Sequence, residues 1–486
     1  MRMAFKSNNN LIGGQTSFLL VIAGFCLVIA VAMAKLPPAF GPAIVVGLAV
    51  FIATFMSTDA GLYLLICSML LSPEFGGGGL EGGDTTASRG VTIRSEDMLL
   101  VLLGFAWLIR TAIHKDLGLF RPSPLNGAIG IYVAVYLFAT LAGFIAGHVR
   151  GVTGFFYVLK YVEYFIVYFI VVNNLESRDQ LKRYLFVMLA TAFIVCITAS
   201  AQIPGGGRVS APFEGERGEP NTLGGYLLLV GAVSAGLAMN LPKEKIARYL
   251  WLLVGFMLLP FMFTQSRGSY LGLPFVYMTL AYLAPSKRLK MAALGVVFVI
   301  VGVLFAPPEV TDRIMYTFGG QGYTQMEQKQ IGNVTLDTST TERLNSWSHA
   351  LADGLESPLW GFGVTGYGFL DAQYPRIWVE TGALGLFFFG ALMFKVFKQG
   401  FMLYRNTRDP MFKGLAMGLI AGSVGLLVHG LGANTFIIVR VMEPFWLIVG
   451  MVVFCNKFEE EATAAAGEDA AAGAEAVAKA RVKEPA

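Results

Sequence analysis

Apolar runs of about 20 residues recur along almost the whole chain, and that length matches the hydrocarbon core of a bilayer. They centre on 16–34, 38–56, 60–73, 97–113, 127–147, 152–173, 184–203, 222–240, 249–265, 270–284, 291–306, 377–397, 412–429 and 437–455. The runs at 60–73 and 270–284 are short, so the pattern predicts about 12–14 transmembrane helices. It is interrupted once at length, from about Pro307 to Tyr374, by a polar stretch holding Arg313, Arg343, His349 and Asp371. The fold class that follows is an all-α polytopic membrane protein with one large loop outside the membrane. The expected organisation is N-terminal spans over 1–306, the loop over 307–376, C-terminal spans over 377–456 and a tail over 457–486. Loops carry chemistry more often than the frame that holds them, so the interruption is the first place to look for function.

Composition agrees with a membrane location. Of 486 residues 55% are hydrophobic and only 14% charged, with a mean hydropathy of +0.62. That is too little charge to cover a soluble surface. The net charge of +4 is sorted by side rather than spread evenly. With a cytoplasmic N-terminus, the lysine-containing clusters around 110–121, 178–183, 243–248, 287–290 and 395–413 all fall on the cytoplasmic side. The opposite side carries arginine almost exclusively, which orientation alone does not require. Arginine suits bidentate contact with phosphate or carboxylate; pairing with outside acids such as Glu214 or Glu342 is the plainer account. No basic helix or basic–aromatic stripe supports nucleic-acid binding. Cys26, Cys67, Cys196 and Cys455 lie in or beside apolar runs and read as buried small hydrophobes rather than a disulfide framework or zinc site. Ala32-Met33-Ala34 is similar to a signal-peptidase site, but another span follows at once and the first is expected to be retained. The Ala/Glu-rich tail is expected to be a disordered cytoplasmic extension.

Several short motifs stand out. Gln265-Ser-Arg267-Gly-Ser269 falls where one span ends and the next begins, a depth at which an arginine either meets an anion or snorkels. Ser339-Thr-Thr-Glu342 has capping-box spacing, and Arg343, Leu344, Trp347, Leu351 and Leu355 continue it at helical spacing. This predicts a short amphipathic helix ending at Ser357-Pro358, with its apolar stripe on the membrane domain and Arg343 and Trp347 on one face. The glycines at 361, 363, 366 and 368 lack a preceding strand and a Walker lysine, so close packing or a tight turn suits them better than nucleotide binding. Lys160 and Glu163 share a span and either neutralise each other or mark an ion pathway.

Together these segments resemble the O-antigen ligase/polymerase superfamily of bacterial surface-polysaccharide assembly. The match rests on Gln265–Ser269, on Glu342-Arg343-Leu-Asn-Ser-Trp347 followed by Pro358-Leu-Trp-Gly361-Phe-Gly363, and on Tyr374 through Glu380-Thr-Gly382-Ala-Leu-Gly385. Arg208-Val-Ser-Ala-Pro-Phe213 leading to Pro220-Asn221-Thr-Leu-Gly224 is a weaker fourth segment. The resemblance implies a GT-C-like, metal-independent, inverting glycosyltransferase with no cofactor and a periplasmic active site in the bacterial inner membrane. Its donor would be an undecaprenyl-pyrophosphate-linked oligosaccharide and its other partners a glycan acceptor, membrane lipid and export or chain-length-control proteins. By the motifs, Arg267 and Arg343, with Arg208 or Arg217, would contact the pyrophosphate. Family ligases carry a histidine shortly before the E-T-G segment. Here that position is Asp371, which tilts the expectation toward a polymerase with Asp371 as base and His349 in reserve. A lipid A–core ligase, a lipid-linked oligosaccharide transporter and an envelope scaffold are the competing readings.

Overall fold

The computed structural model describes residues 41–72, 74–75, 93–113, 121–214, 218–287, 289–290, 292–296, 311, 330–331, 334–335, 338–368 and 370–482. Helices dominate them. In chain order they are α1 (Gly41–Met56), α2 (Thr58–Leu71), α3 (Ser95–Ile113), α4 (Asn126–Ile145), α5 (Thr153–Asn174), α6 (Arg178–Ser200), α7 (Pro220–Asn240), α8 (Glu244–Phe263), α9 (Arg267–Leu283), α10 (Thr338–Asp353), α11 (Gln373–Asn406), α12 (Pro410–His429) and α13 (Val439–Val482). Two two-residue antiparallel pairings join Glu74–Phe75 with Ile93–Arg94 and Gln330–Ile331 with Val334–Thr335.

Among the described residues, 8 helices are long and apolar enough to cross a membrane. They are α4 through α8 and α11 through α13, so the chain is an all-α polytopic membrane protein. The runs expected at 60–73 and 270–284 form helices of 14 and 17 residues. The run at 16–34 and most of that at 291–306 lie outside the described residues.

The chain divides into two compact units. One comprises residues 1–65 and 96–121, the other 66–95 and 122–486. In the first, Phe51 of α1 packs on Phe105 of α3 with ring centroids 6.5 Å apart. The second contains all the candidate residues. Its centre is α7 and α13, whose spanning windows are 94% and 100% buried, while α8 at 22% lies at its edge. Without a hydrophobic drive between helices in lipid, close backbone approach supplies the packing. Gly414, Gly418 and Gly422 recur every four residues on α12 and press against α7: a Cβ on Gly418 would lie 2.4 Å from the Val233 Cα, and one on Gly236 2.4 Å from the Gly414 carbonyl oxygen. Cys196 and Cys455 are buried as expected, but Cys67 is exposed on its apolar helix; all three are free thiols. The backbone of α13 continues as helix to Val482, through the tail where low hydrophobicity predicted disorder. Alanine and glutamate are strong helix formers, and an already formed span supplies the nucleus.

Candidate active site

The first part of the site is the interlock between two motifs. Ser266 caps α9 by accepting the Ser269 amide, and its hydroxyl donates to Asn221 Oδ1 at 2.7 Å. The Ser269 hydroxyl donates to the Ser266 hydroxyl at 2.8 Å. A side chain on Gly224 would overlap the Ser269 hydroxyl, which explains glycine in Pro220-Asn-Thr-Leu-Gly224. Just before the cap, Gln265 takes φ 48°, a left-handed conformation uncommon outside glycine. Beside that turn, Arg208 donates through Nε to the Thr264 carbonyl (3.1 Å) and through a terminal nitrogen to that of Gln265 (3.3 Å). Arg208 also borders an open cavity of about 500 Å³, lined further by Gln202, Gly205, Gly207, Ser210, Gly218 and Pro220.

The second part comes from the loop. As predicted, residues from 338 onward form a helix, α10, although it begins at Thr338 and so takes Ser339 into its first turn. Arg267, the first residue of α9, donates to the Thr340 hydroxyl of α10 at 2.7 Å. One turn further, Arg343 pairs with Asp371 at 2.8 Å, with the two side chains 35% and 30% exposed. Arg208, Arg267, Arg343 and Asp371 are thus gathered by short links through 264–267, 340–343 and 371. His349 lies six positions beyond Arg343, about 240° round the helix, and is exposed. Arg217 lies outside the described residues. Lys160 and Glu163 form an ion pair at 3.3 Å and neutralise each other.

The apolar stripe of α10 seats only in part, with Leu344 and Trp347 half-buried. The helix is anchored through buried Thr341 and Ala350, the latter packed with Phe362, Leu370 and Val379. Leu351 and Leu355 remain 55% and 68% exposed. Near the same cluster, the Tyr367 hydroxyl donates to Asp353 at 2.5 Å, and burial, then that carboxylate, push its pKa up to about 12.

The third part is a strap. Gly382 breaks α11 with φ 63° and ψ −160°, a region essentially closed to other residues. The break leaves the Val379 and Glu380 carbonyls and the Ala383 and Leu384 amides free for 358–363. Phe362 and Gly363 donate to Val379 (2.7 Å) and Glu380 (2.9 Å), and Ala383 and Leu384 donate to Pro358 (2.8 Å) and Leu359 (3.1 Å). Gly361 and Gly363 have φ of +66° and +85°. The close-packing reading of this glycine-rich segment therefore holds, and its partner is the E-T-G motif. Next to it, Arg376 and Glu380 form a buried pair at 3.0 Å, with Arg376 also reaching the Tyr161 hydroxyl at 3.3 Å.

Residues 252–390 match the family model described as O-antigen ligase. That segment carries the signature of an O-antigen ligase domain, in agreement with the resemblance read from the motifs. The matched segment contains Arg267, Arg343, Asp371 and the strap, whereas Arg208 lies before it. A domain of that family implies an enzyme of the glycosyltransferase or ligase type. No curated protein matches the chain. Among the described residues no three of His, Cys, Asp or Glu gather in a way that could hold a metal ion.

Sequence reasoning missed three participants. Thr340 carried no signal beyond its place in the capping box. Gln373, whose amide donates to Gly430 (3.1 Å) and whose side-chain oxygen accepts from Phe436 (2.9 Å), had no motif. Asn434, which donates to the Leu370 carbonyl at 2.7 Å and so fixes the residue before Asp371, sits in a loop that pattern alone leaves blank.

Proposed function

We propose that the chain is a glycosyltransferase acting at the periplasmic face of the bacterial inner membrane. It takes an oligosaccharide from an undecaprenyl-pyrophosphate carrier and adds it to a glycan acceptor, with polymerisation of repeat units favoured over ligation to lipid A–core. The observation that carries the reading is the chain of contacts that links Arg208 to the 264–265 turn, Arg267 to Thr340 and Arg343 to Asp371, with Arg267, Arg343 and Asp371 inside the family segment.

The chemistry needs such a group. The acceptor hydroxyl oxygen attacks the anomeric carbon from the face opposite the leaving group, and the bond from that carbon to the phosphate oxygen breaks. Its electron pair passes to the pyrophosphate, whose growing negative charge is stabilised by guanidinium groups already in place. The anomeric centre inverts, and the hydroxyl proton goes to a base. In the resting site Asp371 holds Arg343. An arriving pyrophosphate competes for that guanidinium and frees the carboxylate to orient the acceptor and take its proton. Asp371 in place of the ligases' histidine favours the polymerase branch.

The test is purified protein in nanodiscs with lipid-linked single repeats, assayed with and without lipid A–core. A ladder from the lipid-linked repeats alone supports polymerisation. Transfer that occurs only with lipid A–core makes the protein a ligase, and no transfer in either arm removes the enzymatic reading.

A further inference from the structure

The strap between α10 and α11 lies deeper than a surface loop. Along α4 it is packed at Ala139, Thr140 and Gly143: the Val364 amide donates to the Thr140 hydroxyl at 3.3 Å, and a Cβ on Gly143 would meet the Phe362 carbonyl oxygen at 2.1 Å. Ala139 precedes the end of α4 at Ile145 by six positions, about 9 Å along the axis. At 20 residues α4 is just long enough to span a hydrocarbon core, so this depth is inside the apolar layer.

The hydrogen bonding fits that depth. Irregular backbone is tolerated in lipid only where every polar group finds a partner in the protein. The six successive amides from Gly361 to Gly366 all donate within the protein: to Ser357, Val379 and Glu380 carbonyls, the Thr140 hydroxyl, the Glu380 carboxylate and the Gly363 carbonyl. A loop bathed in water has no need of such completeness.

The outer side of the strap carries an uncovered apolar patch, with the exposed Glu356 next to it in the chain. Leu355, Leu359 and Trp360 are 68%, 53% and 43% exposed, and Trp360 packs edge-on against Phe138, itself 55% exposed on α4. The patch is therefore continuous with the lipid-facing side of a spanning helix. We infer that residues 355–366 form a re-entrant wedge, with Leu355, Leu359 and Trp360 inserted among the acyl chains of the leaflet at that end of α4. The occupant of the surface is lipid. The wedge ties the C-terminal end of α10 to the bilayer and so fixes the height of Arg343 near the lipid headgroups.

The test is a nitroxide placed at Leu355→Cys in full-length protein whose native cysteines are replaced, reconstituted in phosphatidylethanolamine/phosphatidylglycerol nanodiscs. Leu351→Cys is a second label on the same side, and Ser346→Cys, on an exposed polar position, is the aqueous reference. Labels at 355 and 351 are expected to collide more often with oxygen than with a water-soluble nickel chelate, and the label at 346 to show the reverse order. Preferential nickel access at 355 and 351 would overturn the inference. So would exclusion of both reagents with dipolar broadening, which would assign the patch to a second copy of the chain.

Discussion

Two arginine–carboxylate pairs lie close together in sequence and behave differently. Arg376–Glu380 is 13% and 7% exposed, and both partners make further bonds, to the Tyr161 hydroxyl and from the Thr365 amide. Arg343–Asp371 is 35% and 30% exposed and joins two segments far apart in the chain by a 2.8 Å contact. A buried pair cannot release its arginine without stranding a charge. A half-exposed pair exchanges partners at little cost. Formal charge is the same in both; what differs is the penalty for opening. The first pair builds the strap, and the second can open at little cost, as the proposed contact with a pyrophosphate requires.

Substitutions sharpen this contrast. Glu380→Ala leaves Arg376 buried without its carboxylate and is expected to cost about 3–5 kcal/mol, the usual penalty for breaking a buried pair. Thermal unfolding in detergent would show it as a large drop in midpoint, with lower protein levels in cells. Gly382→Ala comes next. The new Cβ would lie 2.4 Å from the Leu359 carbonyl carbon, and the backbone conformation alone costs about 1–3 kcal/mol in a non-glycine residue. Reduced stability and increased protease cleavage between α10 and α11 are expected. Arg343→Ala should change stability by no more than about 1 kcal/mol. Its rate of glycan transfer should nonetheless fall on the order of 10²–10³-fold, as when one preorganised transition-state donor is removed. If instead Arg343→Ala unfolds the protein and Glu380→Ala does not, the contrast is the wrong way round. The smallest effect belongs to His349→Ala, which should leave both chain length and unfolding midpoint at wild-type values. A loss of transfer there with Asp371→Asn still active would move the base from Asp371 to His349.

Much of the frame was legible because bilayer thickness imposes one length on every span, and the apolar runs from 127 onward, apart from 291–306, coincide with helices α4 to α9 and α11 to α13. The α10 helix was legible from Ser339–Glu342 and the spacing that follows. Its seating was not, since a periodic stripe shows that a face is apolar without showing whether protein or lipid covers it. Leu351 and Leu355 were assigned to the protein on that basis and are exposed. The arginines were legible as residue types in motifs, but their grouping depends on contacts between segments as distant as Arg267 and Thr340. Gly382 was visible as part of a motif; that it breaks a helix to accept residues 358–363 appears only when both strands of the strap are in view. Asn434 and Gln373 carry no pattern, because a polar residue that fixes a turn needs only one partner and no periodicity.

The central claim is that the half-exposed arginines act on the carrier pyrophosphate. The most direct measurement is the length distribution of carrier-linked and surface glycan in cells making wild type, Arg267→Ala or Arg343→Ala at equal protein levels. The account expects single repeats to accumulate on the carrier in both variants while the protein stays folded. A full wild-type ladder from both would contradict it.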